Sequence, residues 1–247
     1  VQFVLLHGYC EGTWVWKDLI PGLEKHSSIL AFDLPGFGES AGMPIPLSIE
    51  EIGKSIWRVC EDLGFDKPVL VGHSLGGYVA LAMASLHPEK PAGLSLFHST
   101  IFADTPEKKL NRDKVIRAVN EYGATPFLKT FSPGLFANPD GGEAQWFSKK
   151  VAETPGSSIA AYAELMKQRP DRANDWQKLA FPLLVVAGRK DNIIDVPSSE
   201  KAIALNPRAQ LEILEKSAHM GMLEEPEKSI AILIEFLSRC KATLSNH

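Results

Sequence analysis

The sequence predicts an α/β fold: a mostly parallel sheet flanked by helices, with a helical cap inserted into it. Three observations predict this. Short β-branched runs recur along the 247 residues, and most are continuously apolar rather than alternating, as suits strands buried on both faces. Amphipathic helical patterns lie between several of them, and strand alternating with helix implies parallel pairing. One stretch, 101–180, breaks that rhythm with helix-like segments, frequent Pro and Gly, and no convincing strand. The core is therefore expected from 1–100 and 181–247, and the cap from 101–180.

Taken in order, the expected strands are "FVLL" at 3–6, "ILAFDL" at 29–34, "PVLVG" at 68–72, "GLSLFH" at 93–98, "PLLVVAG" at 182–188 and "AQLEILE" at 209–215. Ile49, Ile52, Ile56, Val59 and Leu63 share one helical stripe, and Ser48 followed by Glu51 makes a capping box at its start. Pro226 opens a last helix whose Ile230, Leu233, Ile234 and Leu237 repeat the stripe. Within 101–180, the large side chains Phe127, Phe131, Leu135, Phe136, Trp146, Phe147, Tyr162 and Met166 need burial. They either form the cap's own core or line a pocket between cap and sheet.

Composition excludes several classes of function. The net charge is -4, and the basic residues Lys108, Lys109, Arg112, Lys114 and Arg117 are interleaved with apolar ones as on a solvated helix face, so no nucleic-acid partner is expected. No run approaches the roughly 20 apolar residues needed to span a bilayer. Cys10, Cys60 and Cys240 are odd in number, far apart and without metal-site spacing. A soluble, cytoplasmic protein without a metal is expected.

The chemistry is concentrated in "VLVGHSLGGYVALAMA", positions 69–84. Its GxSxG arises by chance roughly 0.1 times in a chain of this length. Here it follows an apolar strand and opens an apolar helix, the context a nucleophile elbow requires. Gly72 and Gly76 allow strand and helix to approach where a Cβ would collide, which lifts Ser74 clear of the sheet edge. A serine hydroxyl needs a base, and the base needs an orienting acid. Asp191 follows one strand and His219 follows the next, at the strand ends where parallel sheets carry their chemistry. Asp195 is a rival acid. His73 is expected to pack or hydrogen-bond at the elbow rather than act as base, and His98 to shape the rim of the site. His73, His98, Phe127, Phe131 and Trp146 are the expected contacts to substrate. Gly8 lets the chain turn so that the N–H of Tyr9 points into the site beside that of Leu75, two donors for an oxyanion. His7 is expected to organise this loop.

Five segments, "HGY", "DLPGFGES" at 33–40, "GHSLGG", "GRKD" and "AHMGMLEEPE", resemble those of the α/β-hydrolase superfamily, in order and nearly end to end. The resemblance is to small capped serine carboxylesterases, although "EGTWVW" is also similar to the hydroxynitrile lyase and plant methylesterase branch. It implies a triad of Ser74, Asp191 and His219, an oxyanion hole at Tyr9 and Leu75, no cofactor, and N-terminal strands that are shortened or absent. Ser74 stands where dehalogenating and epoxide-opening relatives carry Asp, which disfavours those reactions. The implied activity is hydrolysis of carboxylic esters with small or medium acyl groups. The alternatives are a lyase or perhydrolase reaction on the same triad, or a ligand-sensing receptor.

Overall fold

The computed structural model describes residues 1–245. Its centre is one wholly parallel sheet in the order β2-β1-β3-β4-β5-β6. The strands are β1 (Phe3–Leu6), β2 (Ile29–Phe32), β3 (Val69–His73), β4 (Gly93–Phe97), β5 (Leu183–Gly188) and β6 (Ala209–Leu214). The continuously apolar β1, β3, β4 and β5 are buried along their whole length, whereas β2 and β6 form the half-buried edges. All six expected runs form strands, with ends displaced for identifiable reasons. β3 and β5 each start one residue late because Pro68 and Pro182 have no N–H for the ladder. β2 stops at Phe32 because Leu34 N–H turns to His7 Nε2 and the Asp33 carboxylate accepts from Thr13 and Glu39. β4 stops before His98, whose φ of 47° cannot continue a strand.

Helices α1 (Ile20–Leu23), α2 (Ile49–Asp62) and α3 (Leu75–Leu86) belong to the first half. Ser48 caps α2 as expected, but the reciprocal bond from Glu51 lands on Leu47 N–H, one residue early. Val59 and Leu63, expected on the buried stripe, are exposed at the helix end. Between β4 and β5 the chain forms helices and no strand: α4 (Pro106–Tyr122), α5 (Ala124–Phe131), α6 (Gly142–Val151), α7 (Gly156–Gln168) and α8 (Ala173–Lys178). Here α4 packs on α7, and Phe147 and Tyr162 are completely buried. Helices α9 (Val196–Ala204), α10 (Gly221–Glu224) and α11 (Pro226–Ser245) complete the fold, and all three cysteines are buried and unpaired.

The strand order locates the chemistry. From β1 the chain steps outward to β2, then returns across β1 to β3, so the direction of winding reverses between β1 and β3. A crevice opens at such a point beyond the carboxyl ends of the strands. Leu6 pairs with Gly72, which sets the His7–Gly12 loop beside the turn that carries Ser74.

Candidate active site

Ser74 joins β3 to α3 with φ 48° and ψ −113°, a left-handed backbone that a side-chain-bearing residue adopts at a cost of about 1–3 kcal/mol. Its surroundings hold it there. Its N–H donates to the Phe97 carbonyl at 3.0 Å, and its carbonyl accepts from Ser99 Oγ at 2.7 Å and Gly77 N–H at 2.9 Å. The glycines are needed for closeness: a Cβ on Gly72 would lie 2.3 Å from the Gly76 oxygen, and one on Gly76 2.2 Å from the Leu6 oxygen. Ser74 is thus presented at the N-terminus of α3.

Asp191 divides its two oxygens between backbone amides and imidazoles. Oδ1 accepts the N–H groups of Ile193 and Ile194, at 2.8 and 3.0 Å. Oδ2 accepts from His219 Nδ1 at 2.7 Å and from His98 Nδ1 at 3.3 Å. Burial opposes its charge, but the two imidazoles outweigh that and hold the carboxyl well below the usual range. His98 Nε2 accepts Gly221 N–H at 3.2 Å, which fixes the proton on Nδ1. Burial pushes His98 down to about 4, so the ring is neutral. For His219, burial works to lower the pKa, but Asp191 overcomes it and the net shift is upward. His98, Asp191 and His219 lie close enough together to suggest a metal site. The donor set does not fit one, because both Nδ1 atoms point protons, not lone pairs, at the shared oxygen. Asp195, the rival acid, instead caps α9 by accepting Ser198 N–H at 2.9 Å.

His219 is held from several sides. Its N–H donates to Leu135 O at 2.9 Å, and the neighbouring Ala218 N–H donates to Glu224 at 2.8 Å. Its own carbonyl accepts from His73 Nε2 at 2.9 Å, while His73 Nδ1 meets Glu11 Oε2 at 3.0 Å. Both ring nitrogens of His73 thus find oxygen partners inside the protein. Glu11 is buried, which opposes its charge, yet His73 keeps its carboxyl below the usual value. The same Oε2 accepts Gly8 N–H at 2.6 Å. Glu11 therefore ties the loop after β1 to the loop that carries His219. Sequence reasoning missed it; the available signal was an acid in an otherwise apolar stretch, three residues beyond Gly8. His7 organises the loop as expected, with Nε2 accepting Leu34 N–H at 2.9 Å and Nδ1 meeting Gly8 O at 2.8 Å. Among the described residues, the N–H groups of Tyr9 and Leu75 have no hydrogen-bond acceptor.

Ser74 and His219 face a narrow cavity of about 50 Å³ whose wall also includes Tyr9, Glu11, Tyr78, Arg112, Phe131, Leu135, Met166 and Ile193. Of the expected substrate contacts, only Phe131 lines it. Phe127 stacks behind Phe131 with ring centroids 5.0 Å apart. Trp146 sits elsewhere, edge-on to Trp14 at 5.5 Å and under the Lys17 ammonium at 4.5 Å. His73 and His98 are completely buried and do not reach the cavity; both support it from behind. The reason is shared: each ring has two polar atoms that find partners within the protein, which draws it away from the open side.

A parallel sheet with a serine turn, a buried acid–histidine pair and a helical cover is the architecture of an α/β hydrolase. The sequence model of the alpha/beta hydrolase family matches residues 3–232, and the chain belongs to that family. It is 29% identical over 249 residues to the pimeloyl-[acyl-carrier protein] methyl ester esterase of Aeromonas hydrophila, covering 96% of this chain and 95% of that one. A thermophilic esterase from Thermogutta terrifontis superposes with a TM-score of 0.90 and 27% identity, over 97% of this chain and 90% of that one. The enol-lactonase of Burkholderia xenovorans LB400 shares the fold, with a TM-score of 0.86 and 18% identity over 96% and 91% of the two chains. The family and these relatives support a hydrolase. Among the described residues, no helix is long and apolar enough to cross a membrane.

Proposed function

We propose that the protein is a serine carboxylic ester hydrolase. The observation that carries this reading is the meeting, at one cavity, of a strained Ser74 and a His219 whose Nδ1 is bound to Asp191. With Nδ1 protonated toward Asp191, the free lone pair of His219 lies on Nε2. That nitrogen takes the Ser74 Oγ proton as Oγ adds to the ester carbonyl, and the developing oxyanion is received by the N–H groups of Tyr9 and Leu75. Asp191 stabilises the imidazolium while it lasts. The ring then protonates the departing alkoxide, leaving an acyl-Ser74. Water, losing a proton to Nε2, attacks the acyl carbonyl, and Oγ recovers its proton as the acid leaves. Two fixed donors stabilise the transition state strongly, since removing one such donor costs on the order of 10²–10³ in rate. The narrow cavity favours small or medium acyl groups.

The test is covalent. A fluorophosphonate is expected to label Ser74 alone, and Ser74→Ala to lose both labelling and hydrolysis of a p-nitrophenyl ester. Full turnover by the alanine variant would exclude the mechanism.

A further inference from the structure

The cavity wall is apolar at Phe131, Met166 and Ile193, yet one cation stands in it. Arg112 of α4 donates through Nε to Asp104 Oδ2 at 3.1 Å. The other Asp104 oxygen is occupied by Arg169 Nη1 at 2.8 Å. One carboxylate thus serves two guanidinium groups, and one positive charge is left over. The two arginines divide the work unequally. Arg169 also binds the carbonyls of Met166 and Phe102, and it lies 3.9 Å from the ring centre of Tyr78, so it is structural. Arg112 uses Nε alone; among the described residues its Nη1 and Nη2 have no partner, and its side chain is 23% exposed against 6% for Arg169. Two other titratable groups of the wall already have partners within the protein: Glu11 accepts Gly8 N–H and meets His73 Nδ1, and His219 Nδ1 donates to Asp191 Oδ2.

We infer that the site prefers esters whose acyl chain ends in a carboxylate, that is, half-esters of short dicarboxylic acids, with Arg112 Nη1 and Nη2 receiving the distal carboxylate. A planar guanidinium whose two Nη groups are free matches a carboxylate bidentately, and low-dielectric walls strengthen the pairing. Phe131 and Met166 supply contact for the methylenes between. This rests on the serine esterase reading and adds the substrate class to it.

The test compares p-nitrophenyl hydrogen glutarate with the neutral p-nitrophenyl valerate on the wild-type protein. The anionic ester is expected to have the higher kcat/KM by about tenfold or more, the scale of a charge-assisted hydrogen bond. Free glutarate, but not glutaramide, should compete with valerate ester hydrolysis, a readout that needs no variant. Arg112→Gln is expected to collapse the anionic-to-neutral ratio, with Arg112→Lys between the two. Ser74-dependent turnover of the valerate ester without preference for the glutarate, or a ratio unchanged in Arg112→Gln, overturns this inference alone. Absence of Ser74-dependent turnover of both esters overturns the esterase reading, and this inference with it.

Discussion

His73 holds the backbone carbonyl of His219 at 2.9 Å, across 146 positions of sequence. The imidazole adjacent to Ser74 thus fixes the histidine that serves as base in the proposed reaction, and is itself fixed by Glu11.

Glu11→Gln is expected to be costly beyond the loss of one hydrogen bond. It weakens the one acceptor that His73 Nδ1 and Gly8 N–H share, and leaving a buried polar group unpaired typically costs about 1–3 kcal/mol. Urea unfolding should show a lower midpoint with little change in slope. An unchanged midpoint would mean that the Glu11 contacts to His73 and Gly8 do not hold these two loops together.

For the acid, Asp191→Asn is expected to reduce kcat by something on the order of 10⁴, because the amide no longer enforces the tautomer or stabilises the imidazolium. Asp195→Asn should stay near wild type, since Asn caps a helix as well as Asp. The pH–rate profile carries the same information. His219 acts as base only when neutral, and its pKa is raised, so the acid limb of the wild-type profile should lie above pH ~6.5. Removing the Asp191 charge leaves burial dominant, so the residual activity should show a limb displaced to lower pH.

His98 makes folding stability depend on pH in a defined window. Its folded pKa of about 4 lies below the unfolded value, so between pH ~6.5 and ~4 the unfolded chain binds the proton that the folded one refuses. Its contribution is fully present above that window and fades as pH falls through it. Asp191, depressed by its partners, loses its own contribution only below pH ~3.9, and the contribution of His219 is constant below pH ~6.5. Denaturant midpoints at pH 7 and pH 5 should therefore differ more for wild type than for His98→Asn. Equal differences would remove His98 from this role.

Gly76→Ala tests the elbow itself. The new Cβ meets the carbonyl oxygens of Leu6 and His7 at 2.2 and 2.6 Å, atoms of the β1 backbone that have nowhere to go. Overpacking at a rigid site costs about 1–3 kcal/mol and often more. Circular dichroism is expected to show a lower Tm or loss of soluble protein; a wild-type Tm would mean that strand and helix are farther apart than described.

The elements legible in sequence were those written by local pattern. Continuous apolar runs marked the strands, and Gly72, Ser74 and Gly76 marked the turn, because a close approach of two backbones leaves glycine as its trace. Asp191 and His219 were legible from their places after strands. What pattern did not carry was partnership across the fold. Glu11 was passed over and Arg112 read locally as a residue of a solvated helix face, and only tertiary packing turns one toward His73 and the other toward the cavity. His73 hydrogen-bonds at the elbow as expected, but neither it nor His98 lines the cavity, since the partners that hold the two rings inward come from residues far along the chain.

Tyr9 has two attachments, and their combination has a mechanical consequence. Its backbone belongs to the loop after β1 and carries one of the two proposed oxyanion donors, while its phenol donates to the Ile159 carbonyl of α7 at 2.6 Å. Displacing α7 would therefore either break that bond or pull on the loop. The helical segment between β4 and β5 and the loop after β1 are thus mechanically linked through a single phenol.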